Sequence, residues 1–273
     1  MKVRGPSWSP VGEVLATASS RRTIRRGRGG RAGHVIVRRA AFNAALAHLR
    51  LADDSIVPTL DDINEWLDAV TADSTVDTIR TSALFPKSAE RFADAGFTVA
   101  DTLSLLRADL ASQPIRAALA LPIGDDHAAT VTLRHRDYAE AERVDRAAFG
   151  PAWGHDADEL KEIRNATPLH RARGRVGRGG LFRREIEAFA LAGASSEHGY
   201  LQRLSVDPAR QRHGHGRRLT VDALQWMVRR NLPDCLVNTS VNNTAALALY
   251  DSVGFVPMRD RLRVLQFDVR SSA

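Results

Sequence analysis

Apolar positions in the second half of the chain repeat with alternating strand and helix periods. Short apolar runs at residues 130–133, 187–193, 200–206 and 235–240 predict strands, and residues 219–228 carry the 3.6-residue spacing of an amphipathic helix. A second helix is predicted to begin after Asp137, a residue suited to an N-cap. The Gly/Arg-rich residues 171–184 lack either period and predict a hairpin loop.

The first half of the chain resembles the second as a faded internal repeat. Residues 81–97 align without gaps on residues 239–255, and both stretches end in Gly-Phe, at Gly96 and Gly254. Residues 61–72 resemble the helix 219–228, and the apolar pattern of 103–110 resembles that of 262–269 after a shift of one residue. The joint match of strand, helix, Gly-Phe and final strand predicts two related units.

The first copy lacks the polar groups of the second. Phe85 stands opposite Asn243, Phe92 stands opposite Tyr250, and residues 55–59 contain no glycine where the second copy has two. Residues 41–110 are therefore predicted to form a truncated, non-catalytic half. A linker follows to residue 127, with turn signals at Gln113-Pro114 and at residues 122–126. The predicted catalytic domain spans residues 128–273.

The formal net charge of +7 is distributed unevenly along the 273 residues. Residues 1–40 carry ten Lys or Arg and one acidic residue. This segment shows no helical or strand period, so residues 1–40 are predicted to be a disordered basic arm. Arg/Gly tracts can contact nucleic-acid phosphates, but a solvated tail, or a leader from a start codon placed too far upstream, is the favoured interpretation.

Cysteine content and hydropathy indicate a location in the cytoplasm. The single cysteine, Cys235, excludes an internal disulfide and lies in an apolar run, where it is expected to be a small buried hydrophobe. No apolar run has the length of a membrane span, and the N-terminus has no apolar signal-peptide segment. We therefore expect no membrane partner.

The residues between the strand 200–206 and the helix 219–228 have the composition of an anion-binding turn. Gly214 and Gly216 lie in the sequence Gln211-Arg212-His213-Gly214-His215-Gly216. Glycines let a backbone approach an anion closely, and the following helix directs its free N–H groups toward it. The turn lacks the Lys-Ser/Thr ending of a Walker A loop and the third glycine of a dinucleotide fingerprint.

Two motifs together identify a family resemblance. Gln-x-x-Gly-x-Gly follows a strand that ends in Val206-Asp207-Pro208, and a second motif stands 27 residues downstream. Its positions read Asn-x-x-Ala-x-x-Leu-Tyr-x-x-x-Gly-Phe, carried by Asn243, Ala246, Leu249, Tyr250, Gly254 and Phe255. In this order they resemble the acyl-CoA motifs of the GNAT N-acetyltransferase superfamily, well over residues 128–273 and faintly over 41–110.

The resemblance implies an α/β (α+β) GNAT fold, with a mixed, mostly antiparallel sheet and flanking helices. Within the superfamily, residues 145–153 resemble the ribosomal-protein alanine N-acetyltransferases. The tandem layout, with a degenerate first half and an active second half, resembles mycothiol synthase.

The resemblance also implies the cofactor contacts. The strand before the turn is expected to carry a bulge and to splay from its neighbour, so that the pantetheine arm pairs with its backbone. Asn243 is expected to cap the following helix or to reach the pantetheine amide, with Asn242 as an alternative cap. The implied cofactor-binding residues are Leu204, Ser205, Val206, Gln211, Arg212, His213, Gly214, His215, Gly216, Arg217, Asn243 and Tyr250.

The resemblance assigns the catalytic acid but leaves the base open. Tyr250 is implied to protonate the leaving thiolate. The alanine N-acetyltransferases carry a Glu five residues before the Asn, where this chain has Asn238. Glu185 or Glu187 acting through a water ordered by Gln202 is an alternative, but an ordinary exposed strand position is the favoured interpretation of each residue alone.

Two further groups of residues near the turn are of types that bind ligands. His213 and His215 form His-x-His without a third ligand nearby, so no metal is expected. Arg217 and Arg218 adjoin the turn and can attract the CoA phosphates.

The sequence therefore predicts one active site that moves an acetyl group from acetyl-CoA, its co-substrate, directly to a primary amine. The acceptor is a protein N-terminus or a small-molecule amine that the sequence does not identify. The alternative is a non-catalytic acyl-CoA-binding module that docks on RNA or a protein partner through its basic arm. The missing Glu favours the module, and the presence of Tyr250 favours the enzyme.

Overall fold

The computed structural model of the protein describes residues 21–25, 34–40, 42–121, 130–177 and 185–271. Two compact units divide the chain: unit 1 comprises Met1–Ser104 with Arg259–Ala273, and unit 2 comprises Leu105–Met258. The strands described are β1 (Arg21–Arg25), β2 (His34–Ala40), β3 (Asn43–Leu51), β4 (Thr78–Thr81), β5 (Thr98–Asp109), β6 (Val131–Thr132), β7 (Leu169–Val176), β8 (Ile186–Ala194), β9 (Gly199–Val206), β10 (Asp234–Ser240) and β11 (Val256–Asp268). The helices described are α1 (Leu60–Thr71), α2 (Pro86–Asp94), α3 (Gln113–Ala120), α4 (Tyr138–Phe149), α5 (Ala157–Asn165), α6 (His215–Val228) and α7 (Thr244–Val253).

Unit 1 is built on a mixed sheet. Its strands pair in the order β1-β2-β3-β4-β11, with β3 and β4 parallel and the other pairs antiparallel. Trp66 of α1 and Phe92 of α2 are fully buried and pack in one core with Ile79 of β4. The amphipathic faces of α1 and α2 therefore close over one side of this sheet.

Unit 2 places helices on both faces of a second run of strands, β10-β9-β8-β7-β6. Alternate residues of β8 point to opposite faces, as the period of a strand requires. Ala188 and Ala190 pack in the core that contains α6, whereas Phe189 and Leu191 pack in the core that contains α4 and α5. Small residues on the first face allow α6 to lie close to the sheet.

The predicted disorder of the basic arm, residues 1–40, is wrong for its described parts. Residues 34–40 form β2, which pairs with β3 from Val35↔Leu51 to Arg39↔Ala47, and residues 21–25 form β1, which pairs with β2. Val35 is fully buried. The sequence did not predict this hairpin, because a high arginine content is typical of both edge strands and unfolded chains. The remainder of the arm lies outside the described residues.

The linker predicted between the two halves contains a helix. Pro114 lies in the first turn of α3, where a proline is tolerated because the N–H it lacks has no partner there. Ile115 and Ala118 are buried in the core of unit 2. The Gln-Pro pair was therefore a helix start rather than a turn, and the second turn signal, at residues 122–126, falls within 122–129, outside the described residues.

Two other local predictions are also corrected. The predicted hairpin loop begins at residue 171, but residues 171–176 belong to β7, and 178–184 lie outside the described residues. Arg171 and Arg173 fit within this strand because both reach Asp222 of α6, the first with Nε at 2.6 Å from Oδ1. Asp137 precedes α4 as expected, but its side chain accepts from the Arg134 N–H at 2.7 Å and caps the preceding turn instead.

Candidate active site

The strands β9 and β10 are parallel neighbours that separate after a short contact. They pair at Gly199↔Cys235 and Tyr200↔Leu236, and no further pair is present among the described residues. Both strands nevertheless continue, β9 to Val206 and β10 to Ser240. The backbone N–H and C=O groups that face this gap are available to an extended ligand.

A β-bulge accompanies the gap on the other side of β9. The pairing of β8 with β9 shifts between Leu191↔Arg203 and Ala192↔Leu201, which leaves Gln202 as the extra residue. A bulge increases local twist and so helps β9 to diverge from β10. Gly193 lies beneath it: a Cβ there would come within 2.8 Å of the Gln202 carboxamide carbon and 2.2 Å of Thr167 Oγ1. The side-chain oxygen of Gln202 is buried and has no hydrogen-bond partner in the described part of the chain.

The end of β9 offers backbone rather than side chains to a ligand. Leu204 and Val206 pack against the core of unit 2. The Ser205 hydroxyl donates to Asp145 Oδ1 at 2.6 Å. The resemblance assigned main-chain contacts to these three residues, and their side chains are indeed occupied elsewhere.

The turn after β9 presents a series of backbone donors. Among the described residues, no acceptor is present for the N–H groups of Arg212, His213, Gly214, Gly216 and Arg217. The first hydrogen bond of α6 runs from Arg218 N–H to the Gly214 carbonyl at 3.0 Å. Open donors at the positive end of a helix form a site for a phosphate or pyrophosphate.

The two glycines of the turn serve different purposes. Gly214 has φ +74° and would have nothing within 4 Å of an added Cβ, so its requirement for glycine is conformational. A Cβ on Gly216 would lie 3.2 Å from Leu249 Cδ2, so this glycine allows α6 to approach α7. Arg212 also has a positive φ, 68°. The turn therefore has a constrained shape that these residue types permit.

The His215 side chain points into the protein, away from the N–H groups of the turn. It is 6% exposed, with Nε2 at 3.5 Å from Glu187 Oε2, and Arg175 Nε donates to its Nδ1 at 3.4 Å. Glu187 is also paired with Arg210 Nε at 3.2 Å. Glu187, an alternative for the base, is thus engaged beneath the turn, while Glu185 is exposed at the start of β8.

The remaining residues assigned to the turn lie at its rim. His213 is exposed, with Nδ1 at 2.7 Å from the Gln211 carbonyl, and Arg217 donates to the Ala118 carbonyl at 3.4 Å. Within the described ranges, no three His, Cys, Asp or Glu side chains come together to hold a metal ion.

Asn243 begins α7 at the far side of the gap. Its Oδ1 accepts from the Ala246 N–H at 3.1 Å, so Asn243 is the helix cap. The alternative assignment of the cap to Asn242 is wrong, because the side chain that accepts from the first turn of α7 belongs to Asn243. The side-chain nitrogen of Asn243, Nδ2, has no acceptor among the described residues.

Tyr250 is buried on the inner face of α7, with its ring centroid 5.4 Å from that of Phe255. Burial raises the pKa of its phenol, the Cys235 thiol raises that pKa further, and Arg203 opposes the shift. Cys235 belongs to β10 and Arg203 to β9, the strands that border the gap. The phenol therefore retains its proton throughout the pH range in which proteins function.

Sequence reasoning missed a buried carboxylate that joins α4 to β9. Asp145 is fully buried and accepts from Arg203 Nε at 2.7 Å and Nη2 at 2.6 Å, and from the His155 backbone N–H at 2.8 Å. The Arg203 guanidinium also stacks 3.6 Å from the Phe149 ring centre. The only feature of the sequence that indicated a buried carboxylate was the position of Asp145 next to Val144, on the apolar face of a predicted helix.

Comparison with known proteins agrees with this geometry. Residues 139–255 match the model of the Acetyltransferase (GNAT) family, so the predicted resemblance is confirmed over this segment. A search of curated proteins finds no match to the chain. No helix in the described ranges is long and apolar enough to cross a membrane.

Three solved structures share the fold at low sequence identity. A tandem GNAT protein from the clavulanic acid biosynthesis pathway is 15% identical over 90% of this chain and 83% of its own, with a TM-score of 0.62. A GCN5-related N-acetyltransferase from Kribbella flavida is 16% identical over 92% and 90%, with a TM-score of 0.57. Another from Sphaerobacter thermophilus is 12% identical over 87% and 77%, with a TM-score of 0.55.

Proposed function

We propose that this chain, whose residues 139–255 match the GNAT family model, is an acyltransferase that transfers an acetyl group from acetyl-CoA directly to a primary amine. The acceptor is a protein N-terminus or a small-molecule amine. Unit 2 carries the site, and unit 1 has a structural role.

One observation carries the proposal: the gap runs along β9, and the open turn follows directly at the end of the same strand. The gap begins after Tyr200 and the turn begins after β9 ends at Val206. An extended pantetheine arm in the gap would thus lead to a pyrophosphate at the turn. The backbone donors of the strand would hold the amide-rich arm, and those of the turn would hold the charged end.

The same arrangement provides groups for the chemistry. The amine nitrogen attacks the thioester carbonyl carbon, and a β9 backbone N–H stabilises the oxyanion that forms. The C–S bond then breaks, and Tyr250 donates its proton to the departing thiolate. The raised pKa of the Tyr250 phenol keeps it in the protonated form that a proton donor requires.

Two assays test the proposal on the full chain. Calorimetric titration with acetyl-CoA measures binding, and a thiol reagent measures CoA release with a panel of small amines and free-amine peptides. We expect binding, and release that depends on one class of amine. Propionyl-CoA and succinyl-CoA in parallel test the preference for an acetyl group.

The outcomes separate the two function classes. Binding of acetyl-CoA with transfer to no acceptor would indicate the acyl-CoA-binding module instead. Absence of binding to any acyl-CoA would contradict both functions.

A further inference from the structure

A direct transfer requires a group that removes a proton from the amine, and neither Asn238 nor Glu187 supplies one. Asn238 stands where a Glu was expected and has no basic group. Glu187 is paired with Arg210 and His215 beneath the turn. Among titratable side chains connected to β9, His155 has the geometry of a base.

The position of His155 is determined by its backbone rather than by its ring. It lies in the loop between α4 and α5, and its N–H donates to Asp145 Oδ2 at 2.8 Å. Asp145 in turn holds the side chains of Arg203 and Ser205 on β9. Arg203 Nη2 also donates to the Trp153 carbonyl at 2.9 Å, so the loop is attached to the strand at two points.

The imidazole of His155 is oriented by a carboxylate. Its Nδ1 lies 3.2 Å from Glu159 Oε2, and that oxygen is held in turn by the Asp156 N–H at 3.1 Å. Glu159 is 8% exposed and sits in the capping box of α5. A carboxylate beside Nδ1 keeps the proton there, which leaves the lone pair of a neutral ring on Nε2.

Nε2 of His155 is available for chemistry. No residue in the described ranges forms a hydrogen bond with it, and the side chain is 32% exposed. This combination of a fixed Nδ1 and an open Nε2 is the arrangement of a histidine general base.

We propose that His155 is the general base of the transfer and that Glu159 is its positioning residue. This inference rests on the proposed function. As the amine attacks the thioester carbon, its proton passes to His155 Nε2, directly or through one water. The C–S bond breaks, the thiolate takes the Tyr250 proton, and solvent exchange returns both side chains to their starting states. The products are an N-acetylated amine and CoA.

Charged groups from three elements surround His155. Glu159 approaches from α5, Asp145 from α4, and Arg203 from β9 through its bond to Asp145. A general base acts only in its unprotonated form, so activity should fall at acidic pH.

The test compares His155→Gln with His135→Gln in the full chain. His135 is exposed, and its side chain is outside the site, so it controls for the loss of one histidine. With acetyl-CoA and the most active amine of the panel, we expect kcat of His155→Gln to fall by about 10²-fold, the usual contribution of a general base. In this variant the decrease in kcat at acidic pH (the acidic limb of the pH profile) should disappear, and added imidazole should restore part of the rate.

A purely structural role is distinguished by three further readouts. The anchor to Asp145 is a backbone bond, so His155→Gln should retain the wild-type Tm and acetyl-CoA affinity. Glu159→Gln keeps an oxygen for the cap, and should lower kcat less than His155→Gln while altering the acidic limb. His135→Gln should match the wild type.

Each outcome bears on one hypothesis. An unchanged kcat and acidic limb in His155→Gln would overturn the assignment, as would a loss of acetyl-CoA affinity that accounts for the decrease. If the wild-type chain transfers to no amine at all, the proposed function fails before the base is tested.

Discussion

The two units share a succession of strand, helix, strand and helix, from β3 to α2 in unit 1 and from β9 to α7 in unit 2, yet the proposed site lies in unit 2. Helix α2 in unit 1 and helix α7 in unit 2 both end at a glycine with positive φ, 90° at Gly96 and 99° at Gly254. Each is followed by a buried phenylalanine, Phe97 or Phe255. The shared positions are those that shape a helix end and a core.

The strands show the first difference. In unit 1, β3 and β4 pair from Leu46↔Thr78 to Leu49↔Thr81, and the ladder extends through the Ser82 N–H to the Leu49 carbonyl at 2.9 Å. In unit 2, the corresponding β9 and β10 separate after two residue pairs. The backbone groups that unit 1 uses internally are thus left for a ligand in unit 2.

The helix that follows shows the second difference. α1 begins with a capping box in which Thr59 and Asp62 satisfy the helix N-terminus with their own side chains. α6 begins at Gly214, which has no side chain to do so. In unit 1 the Asp62 carboxylate lies at the N-terminus of α1. In unit 2 the N-terminus of α6 has no such side-chain cap, and we propose that it binds an anion from the ligand. The proposed site therefore consists mainly of backbone donors that have no acceptor within the described residues.

The largest expected effect is on the proposed catalytic acid, Tyr250. Tyr250→Phe keeps the ring in the core and removes only the hydroxyl, whereas unit 1 already has Phe92 at this position. We expect kcat to fall by about 10²-fold, with acetyl-CoA affinity and Tm close to wild type. Steady-state kinetics and calorimetry measure both. Undiminished turnover would remove Tyr250 from the mechanism.

The next prediction compares Gly214, which lies in the proposed pyrophosphate-binding turn, with Gly96, which has only a structural role. Gly214→Ala and Gly96→Ala each place a Cβ at a positive φ, with an expected cost of about 1 kcal/mol in the free energy of unfolding. Only Gly214→Ala should also weaken acetyl-CoA binding, by about tenfold, the equivalent of 1.4 kcal/mol.

Denaturant unfolding and calorimetry on the two variants give these values. Equal acetyl-CoA affinity in both variants would contradict the assignment of the turn as the pyrophosphate site.

The third prediction concerns a carboxyl group of unit 1 that is largely removed from water. Asp54 precedes α1 in unit 1, and burial, reinforced by Asp53 and opposed by Arg50, raises its pKa from 3.8 to about 7. The folded state therefore holds a proton that the unfolded state releases. Stability from this group is lost as pH rises from about 4 to about 7.

Asp54→Asn should remove that loss. We expect the variant to be about 1–2 kcal/mol more stable than wild type at pH 8, and no more stable at pH 4. Urea unfolding at both pH values measures the difference. A gain of the same size at pH 4 would indicate an origin other than the ionisation of Asp54.

The smallest effect compares the two helix caps. Thr59→Ala and Asn243→Ala each remove a side-chain bond to a helix N-terminus and should lower the free energy of unfolding by about 1 kcal/mol. Only Asn243→Ala should also reduce acetyl-CoA affinity. Equal binding by both variants would restrict Asn243 to its capping role.

Much of this fold was predictable, because its signals are local. The strand before the turn, the helix after it, and the second motif around Tyr250 lie within a few residues of their predicted bounds. The edge hairpin β1–β2 and helix α3 were missed, because their arginines and Pro114 are equally typical of unstructured segments. Their order comes from partners distant in sequence, such as β3 for β2 and the unit 2 core for Ile115.

The sequence by itself determined the family motifs, the loss of polar groups in the first copy, and the residue types that the turn requires. These follow from steric and hydrogen-bonding preferences that act over short stretches of chain. Only the tertiary structure decided how far β9 and β10 separate, which carboxylates are already paired, and where His155 lies relative to β9. Those depend on contacts between residues far apart in the chain, such as Asp145 with Arg203, whose pairing no local pattern reveals.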